Sequence, residues 1–324
     1  MDAIPQIDLS QARRSAAAEH AIAMQIDRAC REIGFFTVKG HGIAPSIFEN
    51  AYVASQRFFA LPEDEKCASR LPTGFTSGVD DYTPYGYSAL LEENAFAYMG
   101  QDGKPADYVE KFSVGRRIMD DAALLPFSTG EVPASLRSAL KHYFIACEQV
   151  SERLTELLTL ALDLPRDFFR MRTSSSNDSL RSQRYPQAGP ALLNDQGMGE
   201  HTDGTLITML THTAPGIEVR TRTGKWITPP AAGIDHFLVN IGDLMARWSN
   251  DTYVSTPHRV SLSAHPRQSI VFFKLANDDA LIECFPKFCR ESPARYAPIN
   301  YKKFSLEKMN ALFGRNGRLE ARTE

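Results

Sequence analysis

The chain has 324 residues, 43% of them hydrophobic and 23% charged, with a formal net charge of -3 and a pI near 6.3. That length buries a large core in one large domain or two small ones, and a near-neutral balance without runs of like charge excludes the electrostatic footprint of a nucleic-acid binder, a charged tail or a membrane-surface helix. An odd number of cysteines (Cys30, Cys67, Cys147, Cys284 and Cys289) is scattered through a chain too long to depend on disulfide staples; they read as reduced thiols, and Cys284 with Cys289 lacks the second Cys/His pair of a zinc site.

The first thirty residues mix Arg13, Arg14, Glu19 and Asp27 with short apolar groups, which is no secretory h-region, and no later apolar run is long enough to span a bilayer. A cytoplasmic protein is expected. From Ala16 to Ile33, Ala18, Ile22, Ile26, Ala29 and Ile33 recur at helical spacing, and Gly34 stops that helix before the β-rich run Phe35-Phe36-Thr37-Val38. The turn Lys39-Gly40-His41-Gly42 ends the strand, a second helix fits Pro45 to Leu61, and residues 70 to 108, rich in Gly, Thr, Tyr and Pro, read as loop that covers a pocket. Residues 133 to 163 carry the clearest helix, with Pro133 at its start and a core stripe through Leu136, Leu140, Phe144, Cys147, Val150, Leu154, Leu157 and Ala161.

The polar segment Arg172 to Ser179 breaks the helical pattern. Short β-like runs follow at Leu206 to Leu210, Ile217 to Arg220, Phe237 to Ile241, Arg259 to Leu262 and Ile270 to Leu275, separated by turn signals such as Ala214-Pro215-Gly216 and Ser249-Asn250-Asp251. Many short strands without helical crossovers predict a mainly β core with flanking α-helices, a barrel or jelly roll rather than a parallel sheet. No internal repeat or low-complexity tract is present.

Within this β-rich half stands His201-Thr202-Asp203, with His258 far downstream and Arg267-Gln268-Ser269 after it. Successive side chains of a strand point to opposite faces, so His201 and Asp203 share one side and reach one metal from a strand end. Two imidazoles and one carboxylate are the ligand set of non-haem Fe(II) oxygenases, which leave the other coordination positions open for co-substrate and dioxygen. His-x-Asp alone is common in surface turns. His20, His41, His142 and His212 have ordinary surface or packing readings, and on composition His236 or His265 could equally replace His258; position relative to Arg267 favours His258.

These residues resemble the isopenicillin N synthase-like family of Fe(II)/2-oxoglutarate-dependent dioxygenases. The resemblance is carried by Phe237-Leu-Val-Asn-Ile-Gly-Asp243, Trp248-Ser-Asn250, Ser255-Thr-Pro-His-Arg-Val260 and Arg267-Gln-Ser269, and at the other end by Ile4-Pro-Gln-Ile-Asp8 and Gly34-Phe-Phe-Thr-Val-Lys-Gly-His-Gly-Ile43, so that it spans nearly the whole chain. It implies a double-stranded β-helix (jelly-roll) barrel and one domain over residues 1–324. Residues 1–165 would be a mostly helical part packed on the barrel, 170–285 the jelly-roll core carrying the site, and 286–324 a C-terminal helical tail. It also implies His201, Asp203 and His258 as iron ligands, and Arg267 and Ser269 as the holders of the distal carboxylate of 2-oxoglutarate. A guanidinium fork fits a carboxylate, and an unpaired arginine inside a barrel would be costly. Tyr185 matches a family tyrosine that bonds the co-substrate, with Gln183 standing where the family often has Asn.

The implied reaction couples oxidative decarboxylation of 2-oxoglutarate, with O2, to succinate and CO2, and passes through a ferryl intermediate to hydroxylation, desaturation or cyclisation of a small organic substrate. Asp203 favours these outcomes over halogenation, because related halogenases have a small residue there. An oxidase of the isopenicillin N synthase type shares the ligands and the Arg-x-Ser pair without 2-oxoglutarate, but it adds a C-terminal glutamine ligand and no Gln follows Gln268 here. A non-catalytic jelly-roll binding module and a zinc hydrolase with the same ligands are alternatives of other classes; an intact triad argues against the first, and the second gives Arg267 no role. For the substrate, Phe273 matches a pocket position, Tyr82, Tyr85 and Tyr87 lie in the covering loop, and Arg172, Arg181 and Arg184 read as solvated arginines rather than contacts to an acidic substrate. Neither nucleic acid nor membrane is expected as a partner.

Overall fold

The computed structural model describes residues 3–70, 85–101, 103–116, 129–187, 196–230, 233–262, 265–290 and 292–312. Strands form wherever β-branched and aromatic residues, or polar residues with a buried partner, alternate between two faces. In chain order they are β1 (Gln6–Asp8), β2 (Phe35–Lys39), β3 (Gly86–Ser88), β4 (Glu110–Gly115), β5 (Ser179–Tyr185), β6 (Gln196–His201), β7 (Ile207–His212), β8 (Ile217–Arg220), β9 (Trp226–Ile227), β10 (Phe237–Ile241), β11 (His258–Ser261), β12 (Arg267–Lys274), β13 (Leu281–Ile282) and β14 (Ile299–Asn300). Among the described residues they build an eight-stranded sheet in the order β1-β2-β10-β7-β12-β5-β4-β3, a four-stranded sheet β6-β11-β8-β9 and the pair β13-β14. The two larger sheets face each other across a cavity in the jelly-roll manner.

The period of two along the central strands divides the molecule. On β12, Ile270 and Phe272 face the main core, whereas Arg267, Ser269, Val271 and Phe273 face the cavity. On β5, Leu180 joins the main core and Ser182 bonds Ser55 at 2.8 Å, while Arg181, Gln183 and Tyr185 face inward. The core side is covered by the helices α2 (Ala16–Glu32), α3 (Pro45–Phe59) and α5 (Glu131–Leu162), the last of which lays Phe144 on Phe272 with ring centroids 5.3 Å apart. Tyr52 of α3 and Tyr143 of α5 both meet Thr211 of β7 at 2.8 Å, so their buried hydroxyls are satisfied. Smaller helices are α1 (Leu9–Ala12), α4 (Glu63–Cys67), α6 (Phe168–Thr173), α7 (Asp243–Trp248) and α8 (Tyr301–Leu312). None of the helices among the described residues is long and apolar enough to cross a membrane.

Helix positions agree with the periodicity, with α5 beginning two residues before Pro133 and closing on Asp163 in the left-handed conformation at φ 56°. The region before residue 116, read as helices around one strand, also contains β1, β3 and β4. Strand β4 is buried throughout yet carries Glu110 and Lys111, whose partners lie far away in sequence: Lys66 at 2.8 Å from Glu110, and Glu93 at 2.8 Å from Lys111. Likewise β5 turns Arg181 and Gln183 to the cavity and β6 is interrupted by Gly197 and Gly199, so no apolar alternation announces either. Strand β12 starts at Arg267 rather than Ile270, because Arg267 and Ser269 are in register with Tyr185 and Gln183.

The reading of all five cysteines as reduced thiols is corrected. Cys284 and Cys289 are joined in a disulfide, brought together by the 3-10 turn Pro286–Cys289, a local reversal that spacing alone does not reveal. Cys30, Cys67 and Cys147 are free thiols. In the tail, β14 and α8 follow that turn, and residues 313–324 lie outside the described residues, as does Tyr82.

Gly34 joins α2 to β2 at φ 68°, and a Cβ there would stand 2.0 Å from the carbonyl oxygen of Val254. Both the backbone conformation and the close approach demand glycine. Gly34→Ala is expected to lower unfolding stability by about 3 kcal/mol, read from the midpoint of urea denaturation. A second expectation concerns the ion pairs. Burial alone would raise the Glu93 carboxyl, but Lys111 and Arg181 outweigh it and hold it down at about 2. Its contribution is therefore complete above the ordinary 4.5 and is lost as pH falls through about 2. Glu93→Gln should flatten the stability profile across that window by about 2 kcal/mol, checked by denaturation at stepped pH.

Candidate active site

Strand β6 ends on His201 and β11 begins on His258, and their antiparallel register sets these residues directly opposite one another. The imidazole centroids are 4.3 Å apart. Asp203 follows two residues after His201, with Oδ1 3.8 Å from His201 Nε2 and Oδ2 3.8 Å from His258 Nε2. All three ligand atoms lie within 4.8 Å of one another. The other ring nitrogens are engaged by backbone: His201 Nδ1 with the carbonyl of Gly199 at 2.8 Å, and His258 Nδ1 with that of Thr256 at 3.1 Å. Each carbonyl accepts the Nδ1 proton, so both Nε2 lone pairs face the point they share with Asp203. Asn240 donates to Asp203 Oδ2 at 2.8 Å and fixes the carboxylate plane.

Protonation suits a cation. Burial, reinforced by His258, pushes His201 down to about 3, leaving a neutral imidazole. Burial would raise Asp203, but the two histidines and Asn240 keep it below the ordinary value and hence ionised. Two imidazole nitrogens and one charged oxygen on one side of an open cavity fit a six-coordinate cation such as Fe(II) with exchangeable positions. A closed tetrahedral structural site would need a fourth ligand.

The cavity measures about 430 Å³ and runs along β12. Arg267 is only 2% exposed; its Nε donates to the Ala214 carbonyl at 3.0 Å, its guanidinium carbon lies 4.9 Å from the Tyr185 ring centroid, and its buried Nη1 has no partner. No carboxylate pairs with it among the described residues. Burial accordingly lowers its pKa. A buried guanidinium with an orphan donor facing a cavity is suited to a carboxylate guest. Gln183 Oε1 accepts from both Ser269 Oγ at 3.0 Å and Tyr185 Oη at 3.1 Å, joining the two residues to one hub. His212, across from Ser269 in the register, is pushed down to about 4 by burial and by Arg267, and so adds no competing charge.

Phe273 lies six residues along the same strand, roughly 20 Å from Arg267. The Arg181 guanidinium carbon is 5.3 Å from its ring centroid, and Tyr301, Ser305 and Lys308 of α8 also line the cavity. Lys308 forms an ion pair with Asp243, whose carboxylate accepts from Thr202 Oγ1 at 3.1 Å.

The structure thus brings His201, Asp203, His258, Arg267, Ser269, Tyr185 and Phe273 into one cavity. His236, a composition-level substitute for His258, pairs with Asp235 at 2.9 Å instead, and His265 is not among the lining residues. Tyr85 and Tyr87 do not line the cavity: Asn177 donates to Tyr85 at 2.6 Å, and Tyr87 donates to Glu110 at 2.8 Å. Arg181, read as solvated, is a cavity residue, whereas Arg172 stacks on Phe168 and Arg184 pairs with Glu110. Sequence reasoning passed over Asn240, although an amide inside the apolar run Phe237–Ile241 was a legible signal. Glu93 and Lys308, which also line the cavity, carried no such mark.

Comparison with known proteins agrees with this chemistry. A family model described as non-haem dioxygenase in morphine synthesis N-terminal matches residues 4–129, and that of the 2OG-Fe(II) oxygenase superfamily matches residues 176–275. A homoarginine-6-hydroxylase of Oryza sativa subsp. japonica is 31% identical over 314 residues, covering 89% of this chain and 88% of the relative. A 2-oxoglutarate-Fe(II) type oxidoreductase of Emericella nidulans is 29% identical, over 92% of this chain and 87% of the relative. Among solved structures, a full-length Neurospora crassa protein in complex with alpha-KG superposes with a TM-score of 0.81 at 26% identity, covering 94% of this chain and 95% of that one. The complex of the same protein with alpha-KG and thymine gives 0.80 at 27%, covering 95% and 96%. The chain belongs to the 2OG-Fe(II) oxygenase superfamily and is an oxidoreductase that uses Fe(II) and 2-oxoglutarate.

Proposed function

We propose that His201, Asp203 and His258 hold the iron, that Arg267 and Ser269 hold the distal carboxylate of 2-oxoglutarate with Tyr185 beside it, and that the chain hydroxylates a small organic substrate at the Phe273 end of the cavity. The observation that carries this reading is the buried Arg267, its Nη1 without a partner, in the cavity that the two histidines and the aspartate also line. When bound, iron with 2-oxoglutarate supplies dioxygen activation and the oxidising power for an unactivated C–H bond. Gly199 and Thr256 carbonyls keep the Nε2 atoms directed inward, and Asn240 keeps Asp203 ionised and oriented. Leu210, Ile217, Met198, Val260 and Val271 surround the co-substrate end with apolar surface that excludes water and strengthens the Arg267 interaction.

For the substrate, Phe273 and Arg181 offer an apolar face beside a cationic donor. They suit a compact molecule with a flat or apolar side and an acceptor group, of the size of the thymine bound by the Neurospora crassa protein. The rice relative is named for homoarginine, so relatives at similar distance differ in substrate chemistry.

Anaerobic addition of Fe(II) and 2-oxoglutarate is expected to give a visible metal-to-ligand charge-transfer band, abolished by His201→Ala and by Asp203→Ala; an intact band in either variant would overturn the ligand assignment. Arg267→Leu should weaken 2-oxoglutarate binding on the order of 100-fold in titrations of that band, since a buried charge-assisted pair is removed. In a substrate screen that follows succinate release, Arg181→Ala should raise KM for the best substrate about tenfold while uncoupled 2-oxoglutarate turnover stays near that of the parent. An unchanged KM would place substrate recognition elsewhere in the cavity.

A further inference from the structure

Among the described residues, β6 is the outer strand of its sheet, hydrogen-bonded to β11 on one side. An outer strand leaves main-chain donors that must find partners elsewhere. On β6 the N–H of Gly199 donates to Asp107 Oδ1 at 2.9 Å, while Asp107 Oδ2 accepts the N–H of Ala95, also at 2.9 Å. Ala95 opens the 3-10 turn Ala95–Met99, whose Phe96 packs so closely on Gly199 that a Cβ there would meet its ring at 2.4 Å. Asp107 is 1% exposed and is itself held by main-chain bonds, its N–H to Glu93 at 2.8 Å and its carbonyl from Leu91 at 3.1 Å.

The residue that Asp107 grips is the one whose carbonyl accepts from His201 Nδ1 at 2.8 Å. We infer that Asp107 is a positioning residue of the metal site, its carboxylate clamping the open edge of β6 so that the Gly199 carbonyl holds the His201 imidazole at its coordinating angle. One carboxylate has two acceptor oxygens for two N–H groups that face it from different segments. An amide in its place has one, and turns an NH2 against the other N–H. The inference rests on the reading of His201 as a metal ligand, and it adds a residue that stands outside the group His201, Asp203 and His258.

The test uses Co(II) alone, titrated into the metal-free full chain and followed by its d–d absorption. Asp107→Asn is expected to weaken Co(II) binding about 10- to 100-fold and to change the band shape, while far-ultraviolet dichroism stays native. Should that variant not fold, Asp107→Ser, which leaves space for water to take the two N–H groups, carries the same expectation. Parent-like affinity and band shape in a folded variant, with loss confined to the melting temperature, would overturn the proposal and leave Asp107 a stabilising residue only; failure of both variants to fold would overturn it too. The underlying ligand reading fails separately, if the parent chain does not bind Co(II) or if His201→Ala binds it equally well.

Discussion

A strand buried on both faces must serve two environments with a period of two, and β12 is where that constraint is most consequential. Ile270 and Phe272 hold the helical layer to the sheet, while Arg267, Ser269, Val271 and Phe273 line the cavity on the other side. A shift of register by one residue would turn Arg267 out of the cavity and turn Ile270 and Phe272 into it. The register that satisfies the core therefore also sets the chemistry, and the pairing of Arg267 with Tyr185 and of Ser269 with Gln183 carries the arrangement onto β5. The candidate metal cluster depends on a second register, that of β6 on β11, where one cross-strand pair brings the imidazoles of His201 and His258 together.

Much of this was readable from the chain, for physical reasons that differ by region. The long helix α5 announced itself because a regular stripe from Leu136 to Ala161 has one explanation, burial of one helix face. The grouping of His201, Asp203 and His258, with Arg267 and Ser269 in the same cavity, was readable because Fe(II) chemistry needs few residue types and these stand in a recognisable order. Strands β4 and β5 were not readable, since Glu110, Lys111, Arg181 and Gln183 have partners that only the fold brings near, and a charged residue in isolation reads as solvated. Asp107 and Lys308 were hidden for the same reason, and the turn that unites Cys284 with Cys289 leaves no trace in their spacing.

Charge placement distinguishes the two ends of the cavity. At one end Arg267 lies buried without a carboxylate among the described residues, and His212 stays neutral beside it, so the local field favours an anion. Toward Phe273 the charges are matched: Glu93 lies near both Lys111 and Arg181. An anionic guest is favoured at the first end, and a less charged molecule meets a balanced field at the other.

Tyr301, Ser305 and Lys308 reach the cavity from α8, a helix outside both major sheets, joined to the ligand loop through the Lys308 and Asp243 ion pair. Replacement of side chains on that helix changes the chamber wall without altering a strand register or any of His201, Asp203, His258 and Arg267. The shape of the chamber and the chemistry of its floor are thereby carried by separate segments of the chain.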